Sequence, residues 1–447
     1  MINHFPTFPL VLDYGARLLK TWTPDDEGGL LFALQHLSRA NDIMLSAPQP
    51  TLTGMAAVMV EAAPRLERLE LHSQSAEFVL PKSFLGGDAP QLRHLILAGV
   101  SLATLHPLLR SATSLVSLVL ERIPSAAYFS PDKLVMHIRP MPYLKTLSIG
   151  FLSAIPRPGF KAEPFLPPGQ IVPVELPALT QLIFRGVSAY IEALLAQIRT
   201  PLIQDVDIML FNQLTLRIPR IRAFIHDLET FRPTHVRIDF AQTSAHIIVS
   251  APQPSESPDI SLGVSCVSLD FQVSALSQIS RGLFGTSPSV AAHRLPVVEE
   301  LMLGFHQGDL SKGRPDEDII NPALWHALLS SFQHAHTLRV HATLVADLSR
   351  ALQSANGIAV VGEDSEPEQL LLPELRTVVL LHGDDEGMFA AASEALNALA
   401  DDRNRVGRSI NVEPRDLNKL SWPSLPARLS LLLPGTKRTR RISTRKR

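Results

Sequence analysis

Cysteine is nearly absent from this 447-residue chain, in which Cys266 is the single example. One thiol cannot form an internal disulfide, so the sequence excludes a secreted disulfide framework and favours a reducing compartment, cytoplasmic or nuclear. It also excludes zinc sites built from two or four cysteines. Because Cys266 lies in an apolar segment, we interpret it as a buried structural thiol, the alternative being a catalytic nucleophile.

Charged residues are also scarce, at 19% of the chain against 45% hydrophobic residues. A chain this apolar is able to bury a large core, which excludes disorder as a description of its bulk. Lys and Arg number 41 and Asp and Glu number 43, a net charge of −2. This balance gives no global reason to expect a nucleic-acid or membrane-surface protein.

Long hydrophobic runs and targeting signals are missing as well. The most apolar stretches, 53–63 and 429–433, are shorter than the ~18–20 residues that cross a bilayer. The segment Met1–Pro6 has neither the basic and apolar regions of a signal peptide nor the arginines of a mitochondrial presequence. We therefore expect no membrane partner.

The common catalytic and nucleotide-binding motifs do not occur. The chain has no G-x-x-x-x-G-K-S/T, no G-x-G-x-x-G after a strand, no G-x-S-x-G and no H-E-x-x-H. We therefore expect no enzyme, no cofactor and no metal. One alternative stays open, in which residues 382–386 (His-Gly-Asp-Asp-Glu) hold a metal in a hydrolase or metal enzyme, although such a run is more usual where a polar turn begins a helix.

What the sequence does contain is a phrase that returns along most of its length, Pro-x-Leu-x-x-Leu-x-Leu, with other aliphatics allowed. Seven copies carry the proline, and they begin at Pro64, Pro90, Pro142, Pro177, Pro201, Pro296 and Pro373. A copy without proline has Leu115, Leu118 and Leu120. Weaker echoes are Val236-Ile238-Phe240, Cys266-Leu269-Phe271 and Leu338-Val340.

This phrase predicts a strand that buries its apolar side chains only when it packs beside other strands. Leu-x-Leu places two side chains on one face of a strand, and the Leu three residues earlier turns into the same core. The early copies, whose first aliphatics are residues 66, 92, 115, 144, 179 and 203, recur every 23 to 35 residues, enough for one strand and one return. We predict an α/β fold, an irregular leucine-rich-repeat-like solenoid with a short-stranded parallel sheet on its concave face and helices or loops on its convex face. A generic α/β fold is the alternative.

Helical returns are predicted between the strands. They cover 53–63 with Thr53 as N-cap, 102–111 with Ser101 as N-cap, 189–198, 321–332 and 386–399.

Three regions are predicted along the chain. Residues 1–48 form an N-terminal cap, with a strand at Leu10–Leu12, a helix near 30–37 and a first parallel strand at Ile43–Leu45. Residues 49–433 form the degenerate repeat array, with loops near 156–173, 250–258, 308–318 and 355–368 and a C-terminal cap around 409–433. Residues 434–447 form a disordered basic tail.

Side chains that alternate with the core leucines are predicted to face outward on the concave surface. They mix both charge signs with apolar positions, as protein-binding surfaces do. The candidate partner-binding residues are Arg68, Glu70, His94, Arg185, Asp207, Arg237, Asp239 and Arg339, and the same alternation adds Ser268, Asp270, Glu300 and His341. We expect no metal site from His334, His336 and His341, because alternation splits them between faces.

Three of these phrases, together with Pro9–Tyr14, carry a family resemblance. Residues 89–97 (APQLRHLIL), 141–149 (MPYLKTLSI) and 176–184 (LPALTQLIF) resemble F-box/leucine-rich-repeat-like proteins of basidiomycete fungi. The resemblance implies that the repeat region selects a protein target for a ubiquitin ligase. In that family an N-terminal F-box docks the Skp1 adaptor of a cullin–RING ligase. The F-box itself is not evident here, so Skp1 and cullin are expected partners only if an F-box lies upstream.

The partner expected on the concave face is a protein. A further alternative is contact with nucleic acid or the nuclear-import machinery through 437–447, where seven of eleven residues are Lys or Arg.

Overall fold

The structure is a computed structural model, and it describes most of the chain. The described residues are 8–14, 24–75, 78–101, 107–153, 173–228, 234–250, 259–285, 297–305, 321–357, 371–383 and 385–416. The basic tail, the predicted loop at 308–318 and nearly all of those near 156–173, 250–258 and 355–368 lie outside these ranges.

Strands recur along the whole described chain. They are β1 Leu10–Tyr14, β2 Ala40–Ala47, β3 Arg68–Ser73, β4 Phe78–Val79, β5 His94–Ala98, β6 Val100–Ser101, β7 Ser117–Ile123, β8 Thr146–Phe151, β9 Val174–Glu175, β10 Gln181–Gly186, β11 Ile198–Arg199, β12 Asp205–Phe211, β13 His235–Phe240, β14 Ser244–Ser250, β15 Asp259–Ser265, β16 Glu300–Phe305, β17 Thr337–His341, β18 Thr377–His382 and β19 Asn411–Asp416.

Fifteen of these strands form one open, mostly parallel sheet in the order β1-β2-β3-β5-β7-β8-β10-β12-β15-β14-β13-β16-β17-β18-β19. Strand β14 is the exception, since it pairs antiparallel with both β13 and β15. Because β13 and β15 are both antiparallel to β14, they run in the same direction. Strand β15 pairs parallel with β12, and β13 pairs parallel with β16. The predicted mixed α/β class with a parallel sheet is therefore confirmed.

Helices occupy many of the returns between strands. They are α1 Pro24–Leu34, α2 Gln49–Val58, α3 Leu108–Ser111, α4 Pro131–Ile138, α5 Ser188–Leu195, α6 Pro219–His226, α7 Leu269–Phe284, α8 Pro322–Leu329, α9 Ala342–Gly357 and α10 Glu386–Arg405. Several begin at a polar cap, as when Asn321 accepts a hydrogen bond from the Ala323 amide at 3.0 Å. In the described part of the chain, no helix is both long enough and apolar enough to cross a membrane.

The repeated phrase supplies the core. In the copy that starts at Pro64, Leu66, Leu69 and Leu71 are at most 1% exposed, and the corresponding aliphatics of the other proline copies are also buried. They join residues of the helices in one hydrophobic cluster. Burying three aliphatic side chains per copy contributes several kcal/mol, at ~1.5–3 kcal/mol each.

A hydrogen-bond ladder repeats where the strands begin. The amides of Arg93 and His94 both donate to the carbonyl of Glu67, at 2.8 and 2.9 Å. The same two-to-one arrangement joins Val116 and Ser117 to Arg93. It recurs at the carbonyls of Val116, Lys145, Thr180, Thr234, Glu299 and His336. Each proline copy after the one at Pro64, and the copy at Leu115, therefore repeats one backbone geometry.

Some predicted boundaries are wrong. The echo Cys266-Leu269-Phe271 is not a strand, because β15 ends at Ser265 and α7 begins at Leu269. Its aliphatics recur at helical spacing, at Leu269, Val273 and Leu276, and tertiary packing selects that period. Ser268 and Asp270 therefore belong to the start of a helix and not to the outward face of the sheet.

The predicted N-caps Thr53 and Ser101 are also wrong. Helix α2 already begins at Gln49, with Pro50 in its first turn, so Thr53 lies inside it and donates to the Gln49 carbonyl at 2.9 Å. Ser101 lies in β6, and 102–106 are outside the described residues. At the other end of the chain, α10 extends to Arg405, six residues beyond the predicted end.

Candidate binding face of the sheet

The strand side chains that alternate with the core residues form a second face, which we call the polar face. Its middle row crosses thirteen strands in register. The row reads Met44, Glu70, Ile96, Val119, Ser148, Ile183, Asp207, Ser261, Ile248, Arg237, Met302, Arg339 and Val379. Val379, Leu381 and Met302 form a small apolar cluster separate from the main core, as expected for the opposite side of the sheet.

The structure places all eight predicted candidate residues on this polar face. They do not form one cluster but fall into three groups along the sheet. Whether a partner binds them remains a prediction. Several polar residues of this face are deeply buried, three of them candidates: Glu70, Asp207, Asp239, His246, Ser261 and His341 are each at most 7% exposed.

The first group lies on β3 and β5 and is centred on Glu70. Arg68 donates to its carboxylate through Nε at 2.8 Å and through a second guanidinium nitrogen, and His72 Nε2 lies 3.5 Å from Oε2. Burial acts to raise the pKa of Glu70, but hydrogen bonds from His72 and Arg68 outweigh it and lower that pKa to about 2. Burial and the charge of Arg68 lower the pKa of neighbouring His94.

The second group lies on β13, β16 and β17 and consists of two ion pairs. Arg237 Nε lies 2.7 Å from Asp239 Oδ2, and Arg339 Nε lies 2.5 Å from Glu300 Oε1. Asp239 lies across from Gly304, where an added Cβ would approach its Oδ1 to 2.5 Å. The glycine therefore leaves the space that the Asp239 carboxylate fills.

The third group, Arg185 on β10 and Asp207 on β12, differs because its charges are not paired. Asp207 accepts a hydrogen bond from Ser261, its neighbour on β15, and burial raises its pKa to about 6. Its Oδ1 is buried without a hydrogen-bond partner among the described residues. Arg185 lies 5.9 Å from the Phe211 ring centroid, and burial lowers its pKa. No described carboxylate pairs with Arg185.

His341 at the end of β17 is a buried neutral histidine. Its Nδ1 accepts a hydrogen bond from the Thr343 amide at 3.3 Å, so the ring proton of the neutral form is on Nε2. Burial lowers its pKa to about 4. His334 and His336 both contact Glu374, at 2.9 and 3.2 Å, so the predicted separation of the three histidines is wrong for this pair.

The structure also shows the surroundings of two other sequence candidates, Cys266 and the segment 382–386. Cys266 is buried, and its Sγ lies 3.6 Å from the Ser268 carbonyl, as a structural thiol would. Asp385 caps α10 by accepting from the Met388 amide at 2.9 Å, and the ring centroids of His382 and Phe389 lie 4.5 Å apart with their planes tilted by 47°. Asp384 is outside the described residues, and among the described ones no group of three or more His, Cys, Asp or Glu is placed to hold a metal ion.

A groove of about 540 Å³ runs along the edge where β3 to β10 begin. Its lining includes Glu67, Arg93, Val116 and Lys145, which are the residues of the repeated backbone ladder, and Tyr143. The groove is open, is lined by residues of both charge signs and adjoins the polar face.

Sequence reasoning missed the residues of β14 and β15. His246 and Ser261 are buried on the polar face, beside Asp239 and Asp207 respectively. The alternation of small or polar with aliphatic residues over 244–250 and 259–265 is the signal that could have found them.

A scan of the chain against models of protein families finds no match, and a search of curated proteins finds no similar sequence.

Proposed function

We propose that this protein is a non-enzymatic protein-binding module that holds a protein target on its polar face. The observation that carries the proposal is the register of the middle row, which brings charged, polar and apolar side chains of thirteen strands onto one surface. Such mixed surfaces are typical of protein interfaces. In this proposal the chain is an irregular leucine-rich-repeat-like solenoid, which the recurrence of one backbone ladder supports.

We further propose that the target is selected for ubiquitination, with this chain as the recognition part of an F-box-type ligase subunit. The support is the resemblance of residues 89–97, 141–149 and 176–184 to the fungal F-box/leucine-rich-repeat-like proteins. In the structure these three phrases enter β5, β8 and β10, three strands that share the polar face.

The test is affinity purification of the full chain in two matched variants. Val119→Lys adds a charge on the half-buried middle row, whereas Val60→Lys adds the same charge at a position 49% exposed outside the sheet. We expect Val119→Lys to lose a defined protein that wild type and Val60→Lys retain, with melting temperatures of all three similar. Recovery of Skp1 in all three samples would support the ligase role. Equal recovery of every partner by both variants would contradict the proposed face.

A further inference from the structure

On the polar face, the buried Asp207 and the half-buried Arg185 are opposite charges on neighbouring strands, and the structure shows no ion pair between them. Asp207 is 7% exposed, and its Oδ1 has no hydrogen-bond partner among the described residues. Arg185 on the adjacent strand has a buried Nε that is likewise without a described partner. By contrast, Arg68 with Glu70, Arg237 with Asp239 and Arg339 with Glu300 are all ion-paired.

Unpaired buried charges are costly, so a chain that keeps them gives up stability at that place. Among the described residues, Ser261 donates a hydrogen bond to Asp207, and the Arg185 guanidinium lies near the ring of Phe211. Neither contact neutralises a charge. The two groups therefore remain able to gain free energy from a partner that brings the opposite charges.

The register fixes how far apart the two charges stand. Ile183 pairs with Asp207 and Arg185 pairs with Met209, so Arg185 is two residues further along the strand direction than Asp207. Neighbouring strands are ~4.8 Å apart and two strand residues span ~6.6 Å, which separates the two Cα atoms by about 8 Å. An extended peptide places its side chains i and i+2 on one face about 6.6–7 Å apart.

We propose that Asp207 and Arg185 form a two-charge recognition site for an extended segment of the target protein that carries a basic and an acidic side chain two residues apart. The basic group pairs with Asp207 and the acidic group with Arg185. This inference rests on the proposed function, because it assumes that the polar face holds a protein. Charge complementarity identifies the occupant, since an uncharged segment would leave the buried Asp207 and the half-buried Arg185 uncompensated.

The test uses synthetic heptapeptides that contain Lys-Ala-Glu, Glu-Ala-Lys, Lys-Ala-Lys, Glu-Ala-Glu or Ala-Ala-Ala in an alanine background, with affinities measured by fluorescence polarisation. We expect wild-type protein to prefer a mixed-charge peptide at least tenfold over the alanine peptide. Asp207→Asn should abolish the preference for Lys, and Arg185→Gln should abolish the preference for Glu. Arg185→Glu should shift the preference to Lys-Ala-Lys, a result that mere structural damage would not produce.

A matched control is Arg405→Gln, which removes a surface arginine of α10 outside the polar face and should leave the peptide preference unchanged. Equal binding of all peptides by wild type, or unchanged preferences in Asp207→Asn and Arg185→Gln, would overturn the inference. The proposed function is tested separately from this inference. If Val119→Lys loses a partner that Asp207→Asn and Arg185→Gln retain, the polar face binds protein but this two-charge site does not take part.

Discussion

The guanidinium of Arg403, near the end of α10, donates a hydrogen bond of 3.1 Å to the carbonyl of Leu372, a residue with φ of +50°. A second guanidinium nitrogen donates to the Leu371 carbonyl at 2.5 Å. Arg403 is completely buried, and burial lowers its pKa. One arginine thus satisfies two carbonyls in the turn that precedes β18 and holds a backbone conformation that leucine rarely adopts.

Replacement of Arg403 by Met should destabilise the protein by about 2–4 kcal/mol. The substitution keeps an apolar stem but leaves two carbonyls without their donors, and each buried unsatisfied group costs ~1–3 kcal/mol. Urea unfolding measures the change. The control is Arg405→Met, whose side chain is 76% exposed and pairs with Asp402 on the surface, and it should change stability by less than about 0.5 kcal/mol. Similar stability of the two variants would refute the role of Arg403.

Glu192 of α5 caps the start of the next helix. Its two carboxylate oxygens accept hydrogen bonds from the amides of Arg220 and Ile221, at 2.7 and 2.9 Å, in the first turn of α6. Glu192→Ala should therefore cost about 1–2 kcal/mol, comparable with loss of an N-cap. Glu192→Gln keeps one acceptor oxygen and should cost less. Chemical denaturation measures both, and an alanine variant as stable as wild type would show that the cap contributes nothing.

Asp207 and His341 should give the protein opposing pH dependences. The folded pKa of Asp207, about 6, is above its ordinary value of 3.8, so its ionisation destabilises the fold as the pH rises through that window. The folded pKa of His341, about 4, is below 6.5, so stability is lost as the pH falls from about 6.5 to 4 and the unfolded chain takes up a proton.

Asp207→Asn should therefore be more stable than wild type by about 1–3 kcal/mol at pH 7, because a buried charge is removed. Its stability should also fall more steeply than that of wild type between pH 6.5 and 4, because only the His341 contribution remains. Denaturant titrations at pH 7 and pH 4.5 measure both effects. Parallel stability curves of wild type and variant would contradict this account.

Glu70 should contribute stability that acid removes. Its folded pKa of about 2 is below the ordinary 4.5, so its contribution is complete above pH 4.5 and disappears as the pH falls to about 2. Glu70→Gln should cost about 1–3 kcal/mol at pH 7, since Arg68 is part-exposed and solvent screens the pair. The difference between variant and wild type should shrink below pH 4, and a constant difference down to pH 2.5 would show that packing alone is lost.

Much of the sheet could be predicted because its determinants are local. The phrase at Pro64 has a period of two over Leu69 and Leu71, and that period fixes which side chains enter the core whatever the neighbouring strand is. The same alternation sufficed to place Arg68, Glu70 and the other candidates on one face. Where an aliphatic run fits two periods, as over Cys266 to Val273, the local signal was insufficient and packing selected the helix.

The sequence alone could not show which charged residues form ion pairs. Nothing in the sequence distinguishes Arg185 and Asp207 from Arg237 and Asp239. The latter two are two residues apart on one strand and form an ion pair, whereas the former two do not pair. The sequence by itself determined the mixed α/β class, the strands of the proline copies and their outward positions, because alternation along a strand is a local property. Only the tertiary structure decided strand order, burial and which charges find a partner, because these depend on which strands lie side by side.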